Sequence, residues 1–202
     1  MEHVLAVAAP AKAQADDRAA LDEAARRGLE TALTVTFPTV IVAADRPVLV
    51  QAKAVEPAYP LRGALEVRSP DGSVNRAPAA GEAWLEGRLR DRLGAEIGAT
   101  RVQLGEVQLL AAGVLVNEPD RGGNLFQLSP RLMLAYDDVE RSGLLGPASR
   151  VKHRLLIAGG PAEIAAMRDW LKPRLPRGSD LDEGFELTVA GQPAAGDDTA
   201  RG

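Results

Sequence analysis

The spacing of apolar and polar residues changes period several times along the chain, and each change marks an element. Residues 4–8 form a short apolar run stopped by Pro10, the pattern of a buried strand. Between 14 and 27, Ala20, Leu21, Ala24 and Ala25 recur at helical spacing. Asp16 and Asp17 stand near the start, Arg26 and Arg27 near the end, and Gly28 terminates the helix. Residues 31–37 and 40–44 are β-branched runs separated by Pro38 and read as two strands; 48–55 alternates again after an Arg46-Pro47 turn.

From 69 to 81 the chain turns to Ser, Pro, Gly, Asp and Asn, which predicts a loop or a boundary between units. Beyond it, 84–85 opens an apolar segment, 88–93 reads as a short helix ended by Gly94, and 102–104 alternates before Gly105-Glu106 turns into a strand over 107–116. Residues 131–136 predict another strand and 137–141 one helical turn. The first pattern then returns. Residues 151–158 read as a strand, Gly159-Gly160-Pro161 as a turn with Pro at a helix start, and 162–171 as an amphipathic helix carrying Ile164, Met167 and Leu171. A weak strand over 185–189 precedes a Gly, Pro, Ala and Asp tail at 191–202, expected to be disordered.

These elements imply an α+β fold. Both helices have one apolar face, and burying them on a shared sheet requires the strand at 151–158 to return to the strands of the first 80 residues. The expected organisation is therefore discontinuous: 1–80 plus 147–190 form one α/β lobe, and 81–146 an inserted, mostly β second lobe.

Composition narrows the function. Apolar residues make up 46% of the 202 residues, enough for a core, while aromatic residues are only 3%, so Leu, Val, Ile and Ala must fill it. The net charge of −4 comes from well-mixed charges and leaves no footprint for nucleic acid. With no cysteine, thiolate chemistry and disulfides are excluded. No apolar stretch is long enough to span a bilayer, so the chain as given is expected to be soluble. The run at 4–9 is not read as a leader, because Glu2 stands where a positive charge would be needed.

Candidate chemistry is sparse. His3 and His153 each lie in a predicted strand without a second ligand at metal spacing. The adjacent acids Asp16-Asp17, Asp137-Asp138 and Asp197-Asp198 read as helix-start and surface charges. Neither a nucleophile elbow nor a phosphate-cradling glycine motif is present, so no catalytic residue, cofactor site or metal site is assigned and no ATP binding is expected. Two loops are candidates for interaction. Glu118-Pro119-Asp120-Arg121-Gly122-Gly123 reads either as a partner contact or, more plainly, as a tight turn in which an acid pairs with Arg121. Tyr59-Pro60-Leu61-Arg62-Gly63 reads as a recognition loop or as a crossover anchored by Tyr59.

Several short motifs, in order, resemble the MacB/FtsX-type ABC transporter permeases. They are Thr36-Phe37-Pro38-Thr39, Lys53-Ala54-Val55, Tyr59-Pro60-Leu61-Arg62-Gly63 and Gly81-Glu82-Ala83-Trp84-Leu85, then Leu104-Gly105, Gly113-Val114-Leu115 and residues 118–123. Leu128-Ser129-Pro130-Arg131, Ser142-Gly143-Leu144-Leu145 and Ser149-Arg150-Val151 continue the series. The resemblance covers roughly 3–178 and is closest to the predicted permease paired with a lipoprotein-release-like ATPase. It implies a porter-like α/β lobe with an inserted β lobe on the periplasmic side of the bacterial inner membrane. It also implies partnership with the permease's membrane helices and a cytoplasmic ATPase subunit, a lipid, lipoprotein or peptide substrate, and no catalysis by this domain itself. The family's membrane segments are not found at either end, so the chain is expected to be an excised domain or a truncated product. A free-standing periplasmic binding or scaffolding module derived from such a permease is the alternative. A hydrolase using Asp120 and His153 is the weakest reading.

Overall fold

A single strand, β2 (Glu30–Ala43), runs through the middle of the molecule and takes part in everything built around it. A computed structural model describes residues 3–9, 14–121, 129–145, 151–175 and 180–183. The strands are β1 (His3–Ala9), β2, β3 (Arg46–Val55), β4 (Glu66–Ser69), β5 (Gly72–Val74), β6 (Glu82–Glu86), β7 (Arg101–Leu104), β8 (Val107–Asn117), β9 (Arg131–Ala135), β10 (Lys152–Gly159) and β11 (Asp180–Glu183). The helices are α1 (Gln14–Arg26), α2 (Gly87–Leu93), α3 (Tyr136–Arg141) and α4 (Pro161–Leu171), the last extended by a 3-10 turn at Lys172–Arg174.

The strands form one 11-stranded sheet in the order β11-β1-β10-β2-β3-β9-β6-β8-β4-β5, and β7 pairs with both β2 and β8. That second pairing closes a ring, β2-β3-β9-β6-β8-β7, from which β10, β1 and β11 extend as an arm. The fold is mixed α/β with the sheet dominant. It differs from the expected porter-like lobe joined to a separate β lobe, because β2 is long enough to serve both arm and ring. Its proximal half pairs with β10 of the arm, β3 runs along its other edge, and its distal half curls round to meet β7 at Val42↔Gln103. As anticipated from the helix faces, β10 returns between β1 and β2, antiparallel to both.

Alternation sorts the side chains. Val35, Phe37, Ile41 and Ala43 of β2, Val50, Ala52 and Ala54 of β3, and Leu132 and Leu134 of β9 point into the ring. There they meet Leu85, Val102, Leu104 and Leu109, with Leu89 and Leu93 of α2 and Val139 of α3. Each large aliphatic residue contributes about 1.5–3 kcal/mol on burial, before ordering entropy is subtracted. On the arm, α1 and α4 place Ala20, Ala24, Ile164, Met167 and Leu171 over Leu155 and Ile157. On the outer face, Ala32, Val55, Met133 and Leu156 are covered by Tyr59, Leu65, Val67 and Trp84.

Several local readings are corrected. Residues 30–43 are one strand, not two broken at Pro38. Pro38 lies past the last β10 rung, Thr36↔Lys152, and before the Val42↔Gln103 rung, so among the described residues β2 has a partner there on the β3 side alone. A residue without an N–H is tolerated at such an unpaired flank. The β2–β3 turn is Ala44-Asp45, both with positive φ (46° and 61°), while Arg46 and Pro47 already belong to β3. Two left-handed central residues match the twist of a two-residue hairpin. At the start of the region read as a loop at 69–81, β5 folds back on β4, which ends there, in a short hairpin, Ser69↔Gly72. The weak strand expected at 185–189 and the tail at 191–202 lie outside the described residues.

Candidate functional site

The outer faces of β3 and β9 carry two cations where alternation would ordinarily leave side chains in water. Lys53 shares the outward register of Val55 on β3 and pairs with Met133 of β9. Arg131 opens β9 opposite Gln51. Both are buried, at 4% exposure each. Isolated buried charge is too costly to persist, so each must find carboxylates.

It finds them past the end of β8. Lys53 Nζ donates to Glu118 Oε1 at 2.7 Å and to Asp120 Oδ1 and Oδ2 at 2.6 and 2.8 Å, and it lies 3.0 Å from the Tyr59 hydroxyl oxygen. The Tyr59 hydroxyl donates to Asp120 Oδ1. The far oxygen of Glu118, Oε2, accepts from Arg131 Nε at 2.9 Å. Glu118 thus bridges two cations and is itself fully buried as a side chain. A neighbouring group holds the rim: Glu86, the last residue of β6, accepts at Oε2 from Arg121 Nη2 at 2.7 Å and from the Arg131 backbone N–H at 2.8 Å, and at Oε1 from Arg88.

The electrostatics follow from this geometry. Burial pushes the Tyr59 hydroxyl well above the ordinary tyrosine range, and the charges of Asp120 and Glu118 push it the same way. For Asp120, burial opposes ionisation, but the Lys53 charge and hydrogen bonds, with the Tyr59 hydroxyl and the more distant Arg154 charge, hold it below its usual value. Glu86 behaves alike: burial raises it, and Arg88, the Arg131 N–H and Arg121 together bring it lower. Both carboxylates of the cluster are neutralised by cations and the phenol is held as a donor. Such a cluster fastens the segment after β8 to the sheet.

The sequence candidates divide. Tyr59, Glu118 and Asp120 come together, which the sequence did not indicate. Arg121 pairs with Glu86, not with an acid of its own turn. Arg62 stands apart, pairing with Glu30 at the surface and with the Leu61 carbonyl. Gly122 and Gly123 lie outside the described residues. Lys53, Arg131 and Glu86 were missed as site residues. A Lys at an outward strand position ordinarily faces solvent, and nothing local announces that acids 65 and 67 positions away will cover it.

Other candidates change role. Asp138, expected on the surface, is fully buried; it accepts from the Gly81 N–H at 2.8 Å and pairs with Arg141. His153 pairs with Val35, on the face of β10 opposite to Arg154, so the structure does not bring it to Asp120. Among the described residues no cluster of His, Cys, Asp or Glu could hold a metal ion. The side chain of His3 lies outside what is described.

Over 169 residues the chain is 37% identical to the uncharacterized ABC transporter permease YbbP of Escherichia coli (strain K12), a match covering 81% of this chain. The chain is homologous to an ABC transporter permease. It spans about a fifth of that permease, since the match takes in 20% of the relative. No protein-family model matches the chain. A solved domain of a permease protein from Porphyromonas gingivalis aligns over 92% of this chain and 91% of its own, at 13% identity and a TM-score of 0.49, a likeness too distant to carry an argument. Among the described residues no helix is long and apolar enough to cross a membrane. The motif resemblance and the permease homology agree at the level of the ABC permease.

Proposed function

We propose that this chain is a non-catalytic extracytoplasmic domain of an ABC transporter permease of the MacB/FtsX type, one that handles substrate or relays conformational change to the membrane part. The observation that carries the reading is the 37% identity to a permease over most of this chain, but over only 20% of the permease. That proportion suits one domain of a much larger transporter. The mixed-charge surface, and the neutralised buried cluster in place of an assembled nucleophile and base, support a role without chemistry.

The division into 1–80 plus 147–190 and an inserted 81–146 belongs to the same proposal, supported by the return of β10 to β1 and β2. Within it, Arg62 and Arg121 supply surface contacts, while Tyr59, Glu118 and Asp120 hold their loops in shape. The partners are the permease's own membrane helices and a cytoplasmic ATPase subunit, and the substrate is a lipid, lipoprotein or peptide. The place is the periplasmic face of the inner membrane.

A topology reporter tests this. Alkaline phosphatase inserted into the complete permease within the segment homologous to this chain should be active, and a fluorescent protein at the same place dark. The reverse pattern removes the extracytoplasmic assignment. The alternative, a free-standing binding or scaffolding module, is separated by the DNA flanking the reading frame, where membrane segments or an adjoining ATPase gene favour the permease.

A further inference from the structure

We infer that the bare outer face of the β2–β3 hairpin is a contact surface for a second copy of this chain. Tyr59, Leu65, Val67, Trp84 and the acids paired with Lys53 cover the outer face of the sheet as far as Lys53 on β3. Past that point the face is open. Alternation turns Pro38, Val40 and Val42 of β2 outward, and opposite them Gln51, Leu49 and Pro47 of β3, on the rungs Pro38↔Gln51, Val40↔Leu49 and Val42↔Pro47. Val40, Val42 and Leu49 are 52%, 37% and 54% exposed, and both prolines are exposed as well. Among the described residues one other large aliphatic side chain, Val116 at the end of β8, stands as open. Single exposed aliphatic residues are ordinary, but three gathered on two paired strands mark a contact surface.

Charge selects the occupant. The face itself carries no charged residue, so a copy laid on it buries no unpaired ion. Asp45 stands at its tip, in the hairpin turn, and Arg101 at its flank: Gln103 pairs with Val42, and Arg101 lies two residues further towards the hairpin end on the same face of β7. Both are exposed, and neither has an ion-pair partner among the described residues. The neighbouring Arg46 is turned towards Gly94 at the end of α2. In a two-fold contact each copy offers its acid to the base of the other, so both charges can be satisfied at once. An anionic bilayer would draw in Arg101 and repel Asp45. Five apolar side chains per copy fall short of the roughly 800 Å² per partner of a standard interface, so the contact is weak, with a dissociation constant on the order of 0.1–1 mM.

The contact depends neither on the side of the membrane nor on transport, so the topology experiment and this one fail independently. The test is sedimentation equilibrium of the full chain from about 10 μM to 1 mM. The weight-average mass should rise with concentration from the 21.3 kDa of the monomer towards twice that value. Leu49→Thr and Val40→Thr keep strand-forming residues in place and should each weaken association about tenfold or more without lowering the melting temperature. Arg101→Glu should weaken it severalfold. Val116→Thr, at the exposed aliphatic residue outside the face, should leave it unchanged. A monomer throughout the concentration range overturns the inference, as does association that Leu49→Thr leaves intact or that Val116→Thr removes equally. Flotation with phosphatidylglycerol vesicles covers the rival occupant: binding that is lost in Leu49→Thr would assign the face to a lipid surface and overturn the second copy.

Discussion

Lys53 Nζ lies 2.7 Å from Glu118 Oε1, although the two residues are 65 positions apart in the chain. The contact ties the C-terminal part of β3 to the segment that leaves β8, and both side chains are almost wholly out of water. An ion pair so buried adds little net stability compared with apolar residues of the same shape, but losing one partner strands the other.

Lys53→Met should therefore destabilise the chain by about 3–5 kcal/mol, because Glu118 and Asp120 lose their shared cation together. Equilibrium urea unfolding measures it. A loss below about 1 kcal/mol would mean that water or rearrangement already satisfies the acids.

Acid should weaken the same cluster. Asp120 has its folded pKa depressed below 3.8, so the unfolded chain binds more protons as pH falls through that region. Its contribution is present above the unfolded value and is lost as pH drops through the folded one. Asp120→Asn should flatten the stability profile below about pH 4. An unchanged acid limb in the variant would count against the assignment.

At the alkaline end the sign reverses. Tyr59 titrates well above 10.0 in the folded chain, so the folded state retains a proton that the unfolded state gives up, and stability falls as pH rises past 10.0. The sequence contains 2 tyrosines. In a Tyr136→Phe background, phenolate absorbance should emerge only together with unfolding measured by circular dichroism. Phenolate appearing near pH 10 while the fold persists would show Tyr59 to be accessible.

Gly113 is where Trp84 needs space. A Cβ at 113 would stand 2.5 Å from Val67 Cγ1 and 3.0 Å from Trp84 Cε3, beside the irregular β6–β8 register at Ala83/Trp84. Gly113→Ala should cost about 1–3 kcal/mol by overpacking and should perturb the near-ultraviolet signal of Trp84 in a Trp170→Phe background. Wild-type stability and spectrum together would show that the indole can move aside.

Asp138 serves the backbone. Asp138→Ala leaves the Gly81 N–H without its acceptor, at a cost of about 1–3 kcal/mol. Hydrogen exchange at the Gly81 amide should accelerate more than at the amides of β2, and uniform acceleration would point to global loosening instead.

Much of the secondary structure was legible in the sequence. The 3.6-residue period of 162–171 predicted α4, Gly94 ended α2 with a left-handed residue, and Gly105-Glu106 marked the β7–β8 turn. What failed locally failed for tertiary reasons. Pro38 breaks a strand only where both flanks are paired, and whether they are depends on where β10 stops and β7 arrives. The β4–β5 hairpin was hidden because its polar composition reads as loop, and it is held as strand by pairing with β8.

The sequence by itself determined which faces of the strands and helices are apolar, because side-chain alternation and helical period are written residue by residue. It also carried the homology to a permease. Only the tertiary structure decided that the sheet closes through β7 and that Lys53, Tyr59, Glu118, Asp120 and Arg131 share one buried cluster. The reason is physical: a charged residue on a strand is compatible with water or with a distant counter-charge, and local pattern is identical in the two cases. The choice is made when ring closure brings the end of β8 over β3 and removes the water.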